Sequence, residues 1–219
     1  MKWKTVRESA IVFVVLLVLL FADPAGAAIG KNDVQNAWKR IAATAGMQAI
    51  PITYENDKSP NAWVKFESSD KFSVHVTEGL MQVLNGPDEI AGILGHEVGH
   101  VKLGHYNKGV QRNVGWGVLG ALLGKAGGVA EIAGAIGMNL AESGFSREQE
   151  VDADDYGMDL AVKAGYNPWG LYYAMKNFKD KGFKTMPSGF NSHPPTDRRL
   201  QHLEERAKKT GVARPPETK

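Results

Sequence analysis

The sequence predicts a mainly helical α+β fold in which a small antiparallel sheet packs on a helical core. Three observations predict it. Short segments of strand character are confined to residues 51–77. Most of the chain from residue 31 to about 209 outside that block carries apolar residues at helical spacing between recognisable caps. No internal repeat or linker divides it, so one domain is expected over residues 28–210, with 211–219 a disordered, solvated tail. A chain of 219 residues is long enough to bury a core without staples.

Composition narrows the chemistry. The formal net charge is +2 and no basic stripe with interleaved aromatics occurs, which argues against a nucleic-acid partner. There is no cysteine, so disulfides, thiolate metal sites and cysteine nucleophiles are excluded and any metal must take nitrogen and oxygen ligands.

The amino terminus carries Lys2, Lys4 and Arg7, then an apolar run over residues 10–22, then the small residues Ala25, Gly26 and Ala27. This is the layout of an export signal, and the run is shorter than the roughly twenty residues a membrane-spanning helix needs. A signal peptide over 1–27, and an exported, periplasmic mature chain, are expected. The alternative is an uncleaved segment anchoring the chain to the inner membrane.

In KNDVQNAWKRIAATAG (31–46), Val34, Trp38, Ile41 and Ala42 recur at helical spacing, with Asn32 or Asp33 as cap and Gly46 as stop. PITYE, AWVKFE and KFSVHVT read as strands over 51–55, 62–67 and 71–77, with a turn at SSDK. In the third, Phe72, Val74 and Val76 share one side, which leaves His75 a surface histidine on the other.

Pro87 stands where a first helical residue belongs, with Asp88 and Glu89 behind it, so a helix is expected to about residue 104. The glycine- and alanine-rich stretch 107–143 reads as one or two tightly packed helices, or as an element covering a cleft or lying on a membrane surface. Ser146 and Gln149 form a capping box that opens a helix ending at Gly165. Asn167 and Pro168 start another, to about residue 181. A loop with Pro187 and Gly189 leads into SHPPTDRRL and a last helix to about residue 209.

The stretch HEVGHVKLGH (96–105) holds three of the six histidines. His96 and His100 are four apart, hence about 40° apart and one turn along a helix, and both imidazoles can converge on one ion. His105 lies about 140° around and cannot reach that ion unless the helix breaks, as Gly104 would permit. Two ligands are therefore expected from this helix, and Glu97 lies beside the site where water on the ion would stand. The alternative is two core histidines satisfied by hydrogen bonds.

A catalytic zinc takes three protein ligands and leaves a position open. In SREQEVDADDYGMDLAVKAG, Glu148, Asp152, Asp155 and Asp159 share a face that reads as solvated, whereas Glu150 and Asp154 fall on the opposite, apolar side with Ala153, Gly157 and Leu160. Carboxylates on such a face need a cation or a donor. Glu150 is thus expected as third ligand to one Zn2+, and Asp154 as the acceptor that orients a ligating imidazole. The competing expectation is a structural carboxylate pair bound to an arginine.

GILGHEVGHVKLGH, SREQEVDAD and SHPPTDRRL, in this order, together with NAWV and VTEGLM, resemble the HtpX-like and CAAX-prenyl-endopeptidase-like zinc metallopeptidases, gluzincins of metallopeptidase family forty-eight. The resemblance covers roughly residues 60–200 and implies a zincin-like fold, with His96, His100 and Glu150 as zinc ligands, Glu97 as the catalytic carboxylate and Asp154 behind them. It adds His193 as a transition-state stabiliser and Arg199 as a conformational or substrate-positioning residue. Alone, His193 reads as a loop histidine before Pro194. Transmembrane helices of the membrane-embedded members have no counterpart in the mature stretch.

The function expected is a zinc metalloendopeptidase acting on unfolded polypeptide, misfolded or unassembled cell-envelope proteins in particular. Residues 73–77 are expected to pair with an extended substrate. The alternative is a catalytically silent or latent metal-dependent chaperone or assembly factor, and peripheral contact with the membrane or the envelope assembly machinery is the remaining partner expectation.

Overall fold

The computed structural model of the chain describes residues 28–68, 71–105, 145–182 and 193–217. Residues 1–27, expected to be an export signal, the glycine-rich stretch 107–143 and the loop containing Pro187 and Gly189 lie outside the described residues.

Helix α1 (Lys31–Thr44) buries Val34, Trp38 and Ile41. Its cap is Gly30, not Asn32 or Asp33; Asp33 sits in the first turn and accepts the Gly30 N–H at 2.9 Å. Strands β1 (Ile52–Glu55), β2 (Ala62–Ser68) and β3 (Lys71–Thr77) form a sheet of order β1-β3-β2. β2 and β3 are the expected antiparallel hairpin, but β1 pairs parallel to β3, with Ile52 opposite Val74. The sheet is therefore mixed, a correction to the expected antiparallel one.

The cause lies in the connection 56–61, which crosses over the start of α2 (Glu78–Val83) and delivers β2 to the far side of β3. Asp57 O accepts the Gly79 N–H at 2.8 Å, and a Cβ on Gly79 would stand 2.1 Å from Lys58 O, so only glycine admits the crossing. α2 itself was not anticipated; Thr77 caps it, accepting the Leu80 N–H at 3.1 Å.

Because β3 is the central strand, both its edges are taken. The expectation that residues 73–77 pair with an extended substrate is overturned; among the described residues the strands paired on one side only are β1 and β2. On the face away from Val74 and Val76, His75 is held rather than loose. Its Nδ1 lies 2.8 Å from Glu55 Oε1, its Nε2 2.8 Å from Ser73 Oγ, and its ring stacks on Trp63 at 4.8 Å.

Helix α3 (Pro87–Lys102) is the hub. α1, β2, α4 (Arg147–Lys163) and α5 (Gly170–Asp180) all pack on it, and α6 (Asp197–Lys209) closes over α4 and α5. α3 and α4 touch backbone to backbone beside His96: a Cβ on Gly95 would lie 2.6 Å from Gly157 O, and one on Gly157 would lie 2.5 Å from His96 N.

The capping box of α4 is present, with Ser146 Oγ accepting the Gln149 N–H at 3.2 Å and Gln149 Oε1 accepting the Ser146 N–H at 3.0 Å. Two acids of its outer row are paired rather than merely solvated. Asp155 meets His202 at 2.5 Å and Arg206 at 3.1 Å, and Asp159 meets Arg206 at 2.5 Å, which ties α6 to α4.

The carboxy-terminal segment, expected to be a solvated tail, has no helix or strand over 212–217 yet lies on α5. Trp169 Nε1 donates to Val212 O at 3.0 Å, and the Arg214 guanidinium sits over the rings of Trp169, Tyr172 and Tyr173 at 5.4, 5.0 and 5.9 Å. No helix of the described residues is long and apolar enough to cross a membrane.

Candidate active site

α3 presents His96 and His100 one turn apart on the side facing α4, and their Nε2 atoms are 3.0 Å apart. α4 supplies Glu150 from its first turn; Glu150 Oε1 is 3.4 Å from His100 Nε2 and Oε2 is 3.7 Å from His96 Nε2. The residues before α6 supply His193, whose Nδ1 is 2.9 Å from Glu150 Oε1 and 3.1 Å from His96 Nε2. All four are buried, none more than 4% exposed, so bulk water does not separate them.

Four lone-pair-bearing atoms facing one buried point within 4.8 Å of one another form a donor set for a cation. The nearest contacts among them run from 2.9 to 3.7 Å, with Glu150 offering Oε1 to His100 and His193 and Oε2 to His96, and these lie near the edge of about 3.4 Å of a tetrahedron whose ligands stand about 2.0 to 2.1 Å from its centre. With only nitrogen and oxygen donors, the set suits zinc.

Polar groups stand behind these atoms, on the outer nitrogens of the two α3 imidazoles. His96 Nδ1 lies 2.9 Å from Asp154 Oδ1, a carboxylate that can only accept, and this contact favours the tautomer with the proton on Nδ1 and the lone pair on Nε2, toward the cluster. His100 Nδ1 lies 3.0 Å from His105 Nδ1. α3 ends at Lys102, and Gly104, at φ +66°, turns the chain so that His105 comes back to the outer nitrogen of His100 and not to the cluster.

Arg199, from the first turns of α6, donates through Nε and Nη2 to the two oxygens of Asp154 at 2.8 and 2.6 Å, and its Nη1 lies 2.5 Å from Glu150 Oε2. The carboxylates of Glu150 and Asp154 thus face imidazoles on one side and an arginine on the other. Arg199 is buried behind the cluster, where it touches carboxylates and Pro194 O.

His193 stands inside the donor set rather than beside it, with Nε2 3.6 Å from Glu97 Oε1. Phe145, which the sequence reading passed over, stacks on His100 at 3.8 Å and lies 5.2 Å from the His193 ring. Its only signal was an aromatic immediately before the Ser146 cap.

Electrostatics follow from burial and pairing. Burial works to raise the Glu150 carboxyl, but the neighbouring His193 ring and the Arg199 guanidinium hold it well below the usual range. For Asp154 burial is likewise outweighed by the Arg199 guanidinium, and its pKa falls. Burial holds the His100 imidazole well below its ordinary value, which keeps it neutral and able to ligate. Burial would lower His193 too, yet Glu150 and Glu97 raise it.

The profile of peptidase family M48 matches residues 28–207. The metalloprotease LoiP of Escherichia coli is 33% identical over 144 residues, 64% of this chain and 57% of LoiP. The metalloprotease YcaL of the same organism is 31% identical over 180 residues, 77% of this chain and 69% of YcaL. A protease HtpX homolog of Thermococcus sibiricus is 25% identical over 224 residues, 79% and 73% of the two chains. The chain thus spans little more than half of the length of LoiP. A family profile that covers the described helices and strands up to the last two residues of α6, on a fold whose central helix carries the HExxH histidines against a buried glutamate, leaves one assignment: the chain belongs to peptidase family M48.

Proposed function

We propose that the protein is a zinc-dependent endopeptidase that hydrolyses peptide bonds of unfolded polypeptides. The observation that supports this reading is the convergence of His96, His100 and Glu150 on one buried point beside the Glu97 carboxylate. A zinc ion held by those three residues supplies the Lewis acidity that makes water a nucleophile near neutral pH and polarises a scissile carbonyl.

The chain's own groups do the rest. Glu97 takes the proton of the attacking water and delivers it to the leaving amine. Asp154 holds His96 in the tautomer with Nε2 unprotonated, and Arg199 holds Asp154 and Glu150 in place. His193 has to leave the donor set to give water its position; swung outward it becomes a donor for the developing oxyanion, one imidazole serving a closed and an open arrangement. An extended substrate adds along the open side of β2, which packs on α3, in place of the occupied β3.

The reading places the mature chain, freed of a signal peptide over residues 1–27, in the periplasm, with misfolded or unassembled envelope proteins as substrates. A second reading, a latent or silent metal-dependent chaperone, draws its support from His193 standing in the donor set.

Glu97→Gln is expected to lower zinc-dependent cleavage of an unfolded protein by about 10²- to 10⁴-fold while one zinc per chain is retained, measured by elemental analysis beside the cleavage assay. Full cleavage by that variant would refute the role of Glu97. A wild-type protein that cuts no unfolded chain but suppresses aggregation in a zinc-dependent way would establish the second reading.

A further inference from the structure

We propose that His105 positions His100: as a neutral acceptor for the His100 Nδ1–H it sets the tautomer and aim of that imidazole, and ion binding depends on it. The inference rests on the proposed metal reading of the cluster. Its observation is the contact between two Nδ1 atoms at 3.0 Å, both on buried rings, His105 being 1% exposed.

Two ring nitrogens at that distance attract only if one carries a hydrogen and the other a lone pair. If His105 donated, the His100 proton would sit on Nε2. That nitrogen faces His96 Nε2 at 3.0 Å and Glu150 Oε1 at 3.4 Å, and a protonated nitrogen there could not ligate. The ligating tautomer therefore requires His100 Nδ1 to donate and His105 Nδ1 to accept, with the His105 proton on Nε2.

His105 is built into this place. Gly104 supplies the left-handed turn, and Gln149, already part of the α4 capping box, donates through its side-chain amide to His105 O at 3.4 Å. The turn that carries His105 is thereby fastened to the helix that carries Glu150.

A histidine suits this position better than a carboxylate. Among the described residues, Glu97, Glu150 and Asp154 already place three acids here, against the one guanidinium of Arg199. A fourth acid would raise the desolvation cost, whereas a neutral ring nitrogen orients His100 without adding charge. The two ligating imidazoles are thus oriented by unlike partners, an anion for His96 and a neutral ring for His100.

The test is zinc affinity of the full-length protein, by competition with a chromophoric chelator, beside thermal unfolding of the metal-free protein. Asn places its amide oxygen where His carries Nδ1, and Gln places its own near Nε2. His105→Leu and His105→Gln are expected to weaken zinc binding roughly 10- to 100-fold, while His105→Asn stays within about threefold of the parent. Equal zinc affinity in all variants would overturn the proposal. So would a loss common to Asn, Gln and Leu that tracks lowered stability of the metal-free protein, since that pattern marks plain packing. Should His105→Leu not fold, the contrast between Asn and Gln decides alone. A parent protein that binds no zinc at all would instead remove the metal reading on which the proposal stands.

Discussion

Arg199 is a single guanidinium serving two buried carboxylates, and it illustrates how sharply one residue can matter. Asp154 takes a bidentate contact and Glu150 a third one, all on groups no more than 4% exposed. Arg199→Ala leaves two acids buried without the guanidinium that pairs with both and is expected to destabilise the metal-free protein by about 3 to 5 kcal/mol, read by urea unfolding in the presence of a chelator. Arg199→Lys is expected to rescue little, because a point charge cannot span both carboxylates. At this scale the sequence was informative where rotation about a helix decides. Glu150 and Asp154 on an apolar face demanded a cation, and the structure meets the demand with Arg199 and faces both toward imidazoles. Where chain reversal decides it went only part of the way: it named Gly104 as a place where the helix can break, but nothing in the spacing of His100 and His105 says that the break folds the second ring back onto the first, and nothing before Pro194 says how close His193 comes.

Among the elements, α3 and α4 carry the site between them, and their closeness depends on glycine. Gly157→Ala would place a methyl 2.5 Å from His96 N, so either the helices part or His96 shifts. The expected result is a loss of about 1 to 3 kcal/mol in unfolding free energy together with weaker zinc binding, measured on the same preparation; unchanged zinc binding would show that α3 gives way without moving His96. The amino-terminal end of α3 offers a pH test. Glu89 accepts from Asn85 N at 3.0 Å and from Asn177 Nδ2 at 2.9 Å, yet burial dominates and raises its pKa. A carboxyl raised in the folded state costs nothing below its unfolded pKa. Stability falls as pH rises from that value to the folded pKa, then levels off. Glu89→Gln is expected to remove this fall, so the difference between the two proteins, followed by denaturant unfolding from pH 3.5 to 7, should move in favour of the variant as pH rises. The strands were legible to within a residue at each end, but their order was not, since alternation says which side chains point inward and nothing about which strand lies beside which.

For the whole molecule, the carboxy-terminal segment fastens α5 to α6. Arg214 lies over three aromatic rings and meets Glu204 at 3.2 Å. Arg214→Ala is expected to lower stability by about 0.5 to 1 kcal/mol and to leave zinc affinity and cleavage unchanged, which separates fastening from chemistry. Composition read this stretch as solvated because its residues are polar or proline; the rings that receive it lie some forty positions earlier, beyond the reach of any local signal.

The three-way seat of Arg199 has one more implication. In small zinc domains the unfilled ligands repel and the chain stays unfolded until its ion arrives. Here a permanent cation already stands behind the acids, so the receptacle is finished beforehand. If the cluster holds zinc as proposed, loading is expected to be a late, reversible docking event, and the metal-free protein is expected to keep its fold, which unfolding in the presence of a chelator reads.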